Sequence, residues 1–348
     1  MVKVLILVIF LLFLIYLSSK KNIKENFLGN KNIVHYCVSS YDIDSYGGVA
    51  RYDYQIKKVF PHRKFFKAQE SKNKLLKFLK ENPESLVITD NHLACDIPNE
   101  YKVLLVHHGT AITHKEREPS WGGGLAELCI EGQKKMLNYR NPENTKIVSI
   151  SQFCTDEFSR IFPKRYNEFS RELILHTSEF DESRYKKNFN NIPVILGNWS
   201  TENKGLKIYN KLKKNKNYDF KKLSIGNDNN DVNDFNKRKQ DIYLNSDMFL
   251  QISLCEGSSY SALDAVLCGL VLMSTDTGFC YKDMPEDSFV KLDWRKVNDI
   301  SYVQSKIDYG WKNRKQLSKN ARKWYMENCR FIDWEGKMKK IVNNFKSM

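Results

Sequence analysis

The strongest chemical signal in this sequence is carried by two carboxylates, a lysine and a pair of serines. In Ser253-Leu254-Cys255-Glu256-Gly257-Ser258-Ser259 an apolar run leads into Glu256, and a turn of small residues then opens a helical pattern ending near Gly269. Backbone N–H groups from Ser258 to Ser261, at the start of that helix, favour an anion such as a diphosphate. Glu256 stands just before the helix and Asp264 within it, and carboxylates at a cleft edge accept hydrogen bonds from sugar and ribose hydroxyls. Upstream, Asn198 and Lys204 follow a second apolar run, Gly47-Gly48 precedes a helical pattern, and His107 ends a strand-like run in Val106–Gly109. Plainer alternatives stand beside each of these. Glu256 reads as a solvated loop acid, Asp264 as an acid favoured by the helix dipole, Lys204 as a surface lysine, His107 as a core histidine and Gly47-Gly48 as a tight turn.

Positioning such groups requires a scaffold, and the hydrophobic pattern indicates which one. Short β-rich runs occur at Ile33–Val38, Leu86–Thr89, Val103–His107, Ile147–Ile150 and Leu173–His176, with helical stretches between most of them. After a polar stretch from Ser178 to Asn191 the pattern restarts at Val194–Gly197, Lys222–Gly226, Met248–Ser253 and Leu270–Ser274. Strands alternating with helices predict parallel sheets built from βαβ units. Two α/β halves joined by a polar linker predict two Rossmann-like domains facing across a cleft, with ligands at the carboxyl ends of the strands.

The chain has 348 residues and a net charge of +15. From Lys312 to Met348 there are 11 Lys/Arg against 3 Asp/Glu, so about half of the excess sits in the last helices. Basic helices suit an anionic membrane surface or a phosphate-bearing substrate, and no nucleic-acid motif accompanies the charge, so no nucleic-acid partner is expected. None of the eight cysteines forms a C-x-x-C pair, which points to free thiols in a reducing compartment.

Residues 4–17 are an unbroken apolar run, VLILVIFLLFLIYL. As a helix it rises about 21 Å, short of the roughly 30 Å hydrocarbon core, with Lys3 and Lys20 able to snorkel. No A-x-A cleavage site follows, so a single-pass membrane anchor is expected ahead of a cleaved signal or an interfacial helix. The flanking charges and the single N-x-S/T sequon, Asn198-Trp199-Ser200 within the candidate site, both favour a cytosolic body. The expected division is 1–25 for the anchor and flank, 30–180 for the first Rossmann-like domain, 190–330 for the second and 331–348 for a terminal helix.

The segment from Glu256 to Asp264 resembles the E-x7-E region of retaining glycosyltransferases with the GT-B fold, the large family four, with Asp in place of the second Glu. Gly47-Gly48 resembles that family's glycine-rich loop, Val106–Gly109 the position of its cleft histidine, and Gly197-Asn198 with Lys204-Gly205 its G-R…K-G element. The resemblance spans about residues 33 to 345 and implies an enzyme that moves a sugar from a nucleotide-sugar, UDP- or GDP-linked, to a glycan, lipid or protein acceptor with retention of configuration. It implies that 30–180 is the acceptor domain, 190–330 the nucleotide-sugar domain and 331–348 a helix packing back on the first domain. It implies that Glu256 holds the sugar, Asp264 the ribose, and Lys204 the diphosphate, with Gly47, Gly48, Asn198, Ser258 and Ser259 around the donor and His107 at the reacting centre. Asn198 stands where that family has Arg, so a second cation is missing or comes from elsewhere. No cofactor and no obligatory metal are expected, and Asp42-Ile43-Asp44 is read as a turn rather than a metal-holding D-x-D. The alternatives are a sugar-nucleotide epimerase of the same fold and a non-catalytic, membrane-tethered binding protein.

Overall fold

The computed structural model describes residues 32–38, 47–118, 124–223 and 232–348. The apolar run at 4–17 and Asp42-Ile43-Asp44 lie outside the described residues. No helix among the described residues is long and apolar enough to cross a membrane.

Among the described residues the first half holds six parallel strands: β1 (Ile33–Cys37), β2 (Lys64–Lys67), β3 (Leu86–Asp90), β4 (Lys102–His107), β5 (Thr145–Ser149) and β6 (Ser170–Leu173). They run in the order β2-β1-β3-β4-β5-β6. The second half holds β7 (Val194–Gly197), β8 (Asp219–Lys222), β9 (Met248–Gln251), β10 (Val271–Thr275) and β11 (Val290–Leu292), in the order β11-β10-β9-β7-β8. Every pairing is parallel. Each order reverses direction once, between β1 and β3 and between β7 and β9, and open α/β sheets bind ligands outside the strand ends at such a reversal.

Central strands are apolar because helices cover both of their faces. β1, β3, β5, β7, β9 and β10 are buried at every position. At the sheet edges, β6 (SREL) is exposed throughout and β8 (DFKK) nearly so, and their charges discourage pairing with another chain. Edge strands explain two displaced expectations. The apolar run at Leu173–His176 mostly follows β6 instead of forming it, and Ile174 and His176 are buried beyond the strand end. Likewise β8 covers Asp219–Lys222, ahead of the run expected at Lys222–Gly226, of which residues 224–226 lie outside the described residues.

The chain crosses between the halves twice. The loop after β6 leads into the second half, and the helix Phe331–Ser347 returns to the first. Trp334, Met338, Ile341, Val342 and Phe345 enter a core built from Ile33, Tyr52, Ile56 and Leu104. Trp334 meets the Tyr52 ring edge-on, with centroids 5.7 Å apart. Truncating this 2% exposed indole removes a large buried surface from the first domain. Trp334→Ala is expected to cost about 3–5 kcal/mol, read as a shifted urea midpoint for the transition that unfolds the first sheet.

Candidate functional site

The crevice at the β7/β9 reversal collects the residues singled out in the second half. Asn198 follows β7, Lys204 closes the short turn Glu202–Lys204, and Glu256 lies in the loop after β9. Ser259 caps the helix Tyr260–Leu267, its hydroxyl accepting from the Ala262 N–H at 3.2 Å. Asn198, Lys204, Glu256 and Ser259 line one small cavity together with Gln251 and Ser253. Within it Lys204 Nζ donates to Glu256 Oε1 at 2.9 Å, and both side chains keep some contact with solvent. Gly205, at φ +86°, turns the chain back into the next helix, and a Cβ there would stand 2.4 Å from Ile252. Ser258 Oγ is buried without a hydrogen-bond partner among the described residues. Lysine, carboxylate, amide and helix start thus face one another where an anion with attached hydroxyls would be held.

Asp264 has a different set of partners from the ribose expected of it. Its carboxylate is fully buried and receives Arg51 Nη1 at 2.9 Å and Nη2 at 3.0 Å, a bidentate pair reaching across from the first domain. Lys239 Nζ adds a third charged contact at 2.9 Å, and the Ser178 hydroxyl a neutral one at 2.6 Å. Arg51 Nε also donates to Glu179 at 3.3 Å, and its guanidinium lies 4.2 Å from the Tyr260 ring centroid. Burial alone would raise the Asp264 pKa, but Arg51 and Lys239 outweigh it and hold the carboxyl down to about 2. Burial and the neighbouring Arg51 charge lower the Lys239 pKa. In this arrangement Asp264 joins the domains; every oxygen it could offer a ribose is already engaged.

Gly47 and Gly48 open the helix Gly48–Val59 that carries Arg51, and Gly48 faces Tyr260, to which a Cβ would come within 3.9 Å. Domain contact is closer still at Gly257, where a Cβ would stand 2.5 Å from the His108 carbonyl oxygen. Ser151 Oγ donates to the Gly257 carbonyl at 2.6 Å.

His107 lies beneath this contact and does not reach the crevice. It is 1% exposed and stacked on Phe158 with ring centroids 4.0 Å apart, and burial holds its pKa down to about 3. Its ring lies between Phe158 and the Gln133 side chain, whose amide nitrogen stands 3.3 Å from Nε2. His108 bonds Asp90 at 3.0 Å and stands edge-on to Tyr52.

Asp90 belongs to a buried polar group at the β1/β3 reversal. His35 Nε2 meets Asp53 Oδ1 at 3.2 Å, and Cys37 stands close enough that the three could in principle share a metal ion. Arg63 Nε, however, donates to His35 Nδ1 at 3.4 Å. Arginine can only donate, so the His35 proton sits on Nε2 and points at Asp53. Metal binding at Nε2 would require the opposite tautomer, so the set fits a hydrogen-bonded chain better than a metal. Burial pushes Asp53 up to about 7 and Asp90 up to about 6, the latter helped by the Asp53 charge.

Arg51, Lys239, Ser178, Gln251 and Ser253 were not singled out from sequence. Arg51 was visible beside Gly47-Gly48, but nothing local indicates a partner 213 residues away. Lys239 is one cation among several in Asn236-Lys237-Arg238-Lys239.

No family model and no curated protein matches the sequence. Solved structures do. A sucrose-phosphate synthase from Thermosynechococcus elongatus superimposes with a TM-score of 0.66 at 12% identity, over 91% of this chain and 99% of that one. HepE from Anabaena, solved in complex with UDP and also with UDP-glucose, gives a TM-score of 0.65 at 11% identity over 90% and 100% in the UDP complex. WaaG, a glycosyltransferase involved in lipopolysaccharide biosynthesis, gives 0.58 at 13% identity over 89% and 99%. The fold is GT-B. Two parallel sheets meeting at their carboxyl edges, with a terminal helix returning to the first domain, make up the GT-B body of this chain.

Two outcomes follow from the buried charges. Arg51→Met leaves Asp264 and Glu179 without their shared cation and is expected to cost about 3–5 kcal/mol in chemical denaturation. For Asp53 and Asp90 the folded pKa exceeds the unfolded one, so the folded protein holds the extra proton. Their contribution is fully present below about pH 4 and is lost as pH rises toward about 7. Asp53→Asn should flatten this fall in thermal midpoint between those limits.

Proposed function

We propose that this GT-B protein is a glycosyltransferase that takes a sugar from a nucleotide-sugar donor and places it on an acceptor hydroxyl with retention of configuration. The observation that carries this reading is the Lys204–Glu256 pair at the β7/β9 reversal, facing Asn198 and the helix start at Ser259. On donor binding, Lys204 turns from Glu256 to the diphosphate, and Glu256 is released to accept from the sugar hydroxyls. The helix start and the Asn198 amide add neutral donors to the same phosphates. As the glycosidic bond breaks, negative charge grows on the departing nucleoside diphosphate, where preorganised donors stabilise it most. The acceptor hydroxyl attacks from that same face, its oxygen bonding the anomeric carbon while its proton passes to the departing phosphate. The first domain contributes the wall opposite Glu256, with the His108 carbonyl against Gly257.

A UDP-sugar is the first donor to test, because HepE, of the same fold, was solved with UDP-glucose; a GDP-sugar is the next. Residues 4–17 would hold the body at a membrane, its cytosolic face being favoured by the flanking charge.

The test is calorimetric titration of the full-length protein in detergent with UDP-, GDP- and ADP-sugars, followed by analysis of the sugar product. Lys204→Ala should weaken donor binding, and Lys204→Ala and Glu256→Ala should each lower transfer by roughly 10²–10³-fold. Wild-type rates in either variant would remove the site assignment. An epimerised donor sugar would identify an epimerase, and donor binding without turnover a binding module.

A further inference from the structure

At the opposite end of the second sheet from the crevice lies a larger groove of about 840 Å³, between linker residues 185–189 and one face of the helix Arg314–Asn328. Its floor is set by backbone contacts at the amino ends of the strands. The Lys186 N–H donates to the Cys268 carbonyl, the Ser318 hydroxyl donates to the Gly269 carbonyl, and Lys186 Nζ pairs with Asp247 just before β9. The Glu256 crevice, by contrast, lies at the carboxyl ends.

Among the described residues the groove is lined by cations and by no acid. The linker supplies Lys186 and Lys187, and the helix supplies Arg314, Lys315, Lys319, Arg322 and Lys323, spaced so that they share a face. Some of this charge is answered locally: Lys186 by Asp247, and Lys323 by Glu327 at 3.8 Å. Lys187, Lys315 and Lys319 have no carboxylate partner among the described residues and are exposed. Among the described residues the two arginines are fixed in place without a carboxylate contact. Arg322 stacks 4.1 Å over Tyr185 and donates to the Glu182 carbonyl, while Arg314 stacks 4.2 Å over Trp311. Arg314 Nε is buried and has no hydrogen-bond partner among the described residues.

Fixed guanidiniums and free ammoniums around a concavity concentrate positive potential, which a solvated convex helix face does not do. Guanidinium groups match phosphate geometry, and the volume falls within the roughly 300–1,000 Å³ of small-molecule sites. We propose that this groove is a binding site for a compact ligand carrying clustered phosphates, separate from the nucleotide-sugar crevice. The same chemistry is offered by a soluble polyphosphate and by the headgroup of a phosphate-bearing lipid, and the experiment separates them.

The full-length protein in detergent is titrated with tripolyphosphate in 150 mM salt, alongside Lys187→Gln/Lys315→Gln/Lys319→Gln, three exposed positions where the fold bears the change. Tripolyphosphate should bind the wild type and at least tenfold more weakly the triple variant, while UDP affinity is the same in both. A parallel titration with short-chain phosphatidic acid, against phosphatidylcholine of the same chain length, assigns the source. Tighter binding of phosphatidic acid than of tripolyphosphate points to a lipid headgroup, and the reverse to a soluble ligand. Equal tripolyphosphate affinity in wild type and triple variant would overturn the proposal, as would equal displacement by sulfate at matched ionic strength. The UDP control keeps this outcome distinct from failure of the glycosyltransferase reading.

Discussion

The buried contact between Arg51 and Asp264 is the constraint on which the rest of the arrangement depends. Two charges removed from water cost several kcal/mol each, and their attraction repays this only when geometry is tight and the remaining polar atoms are satisfied. Here the fork is bidentate, Lys239 and Ser178 occupy the other carboxylate positions, and Glu179 takes the Arg51 Nε–H. Such a contact tolerates little displacement. It ties the first helix of one domain to the helix Tyr260–Leu267 of the other, and the start of that second helix holds Ser259 beside Glu256. Domain register and crevice geometry are therefore set by one contact. The close approach at Gly257 and the stacking of His176 on Tyr260, with centroids 4.2 Å apart, are formed in the same register.

The parallel sheets were legible because their central strands are buried on both faces, so hydrophobicity alone reports them. Val194–Gly197 matches its strand from end to end. β2, with its lysine at each end, and the short β11 carried too little apolar pattern to be read, and β6 and β8 were displaced because edge strands can be polar. The site divides along a similar line. Asn198, Lys204, Glu256 and Ser259 each sit at the end of an element that the sequence marks, and a reversal in strand order brings those ends together. His107 also ends a marked strand, but which side of the strand end faces solvent is settled by what packs there, and Phe158 is what packs there. Asp264 carries a local signature, while its function as an ion-pair partner rests on an arginine from the other domain. Long-range pairing of this kind leaves no trace in the spacing of one segment.

The two halves are not equivalent in the order of their making. Trp334, Met338, Ile341, Val342 and Phe345 belong to the core that also contains Ile33 and Tyr52. Synthesis runs from the amino end, and domains ordinarily fold as they emerge from the ribosome. Here the first domain is made before the second yet lacks one wall of its interior until the helix Phe331–Ser347 has been translated. The second domain, whose β7 to β11 are continuous in sequence, can assemble while that wall is still missing. The half made earlier is thus completed later than its neighbour, and until then its apolar face around Tyr52 and Ile56 stays open to water or to a chaperone.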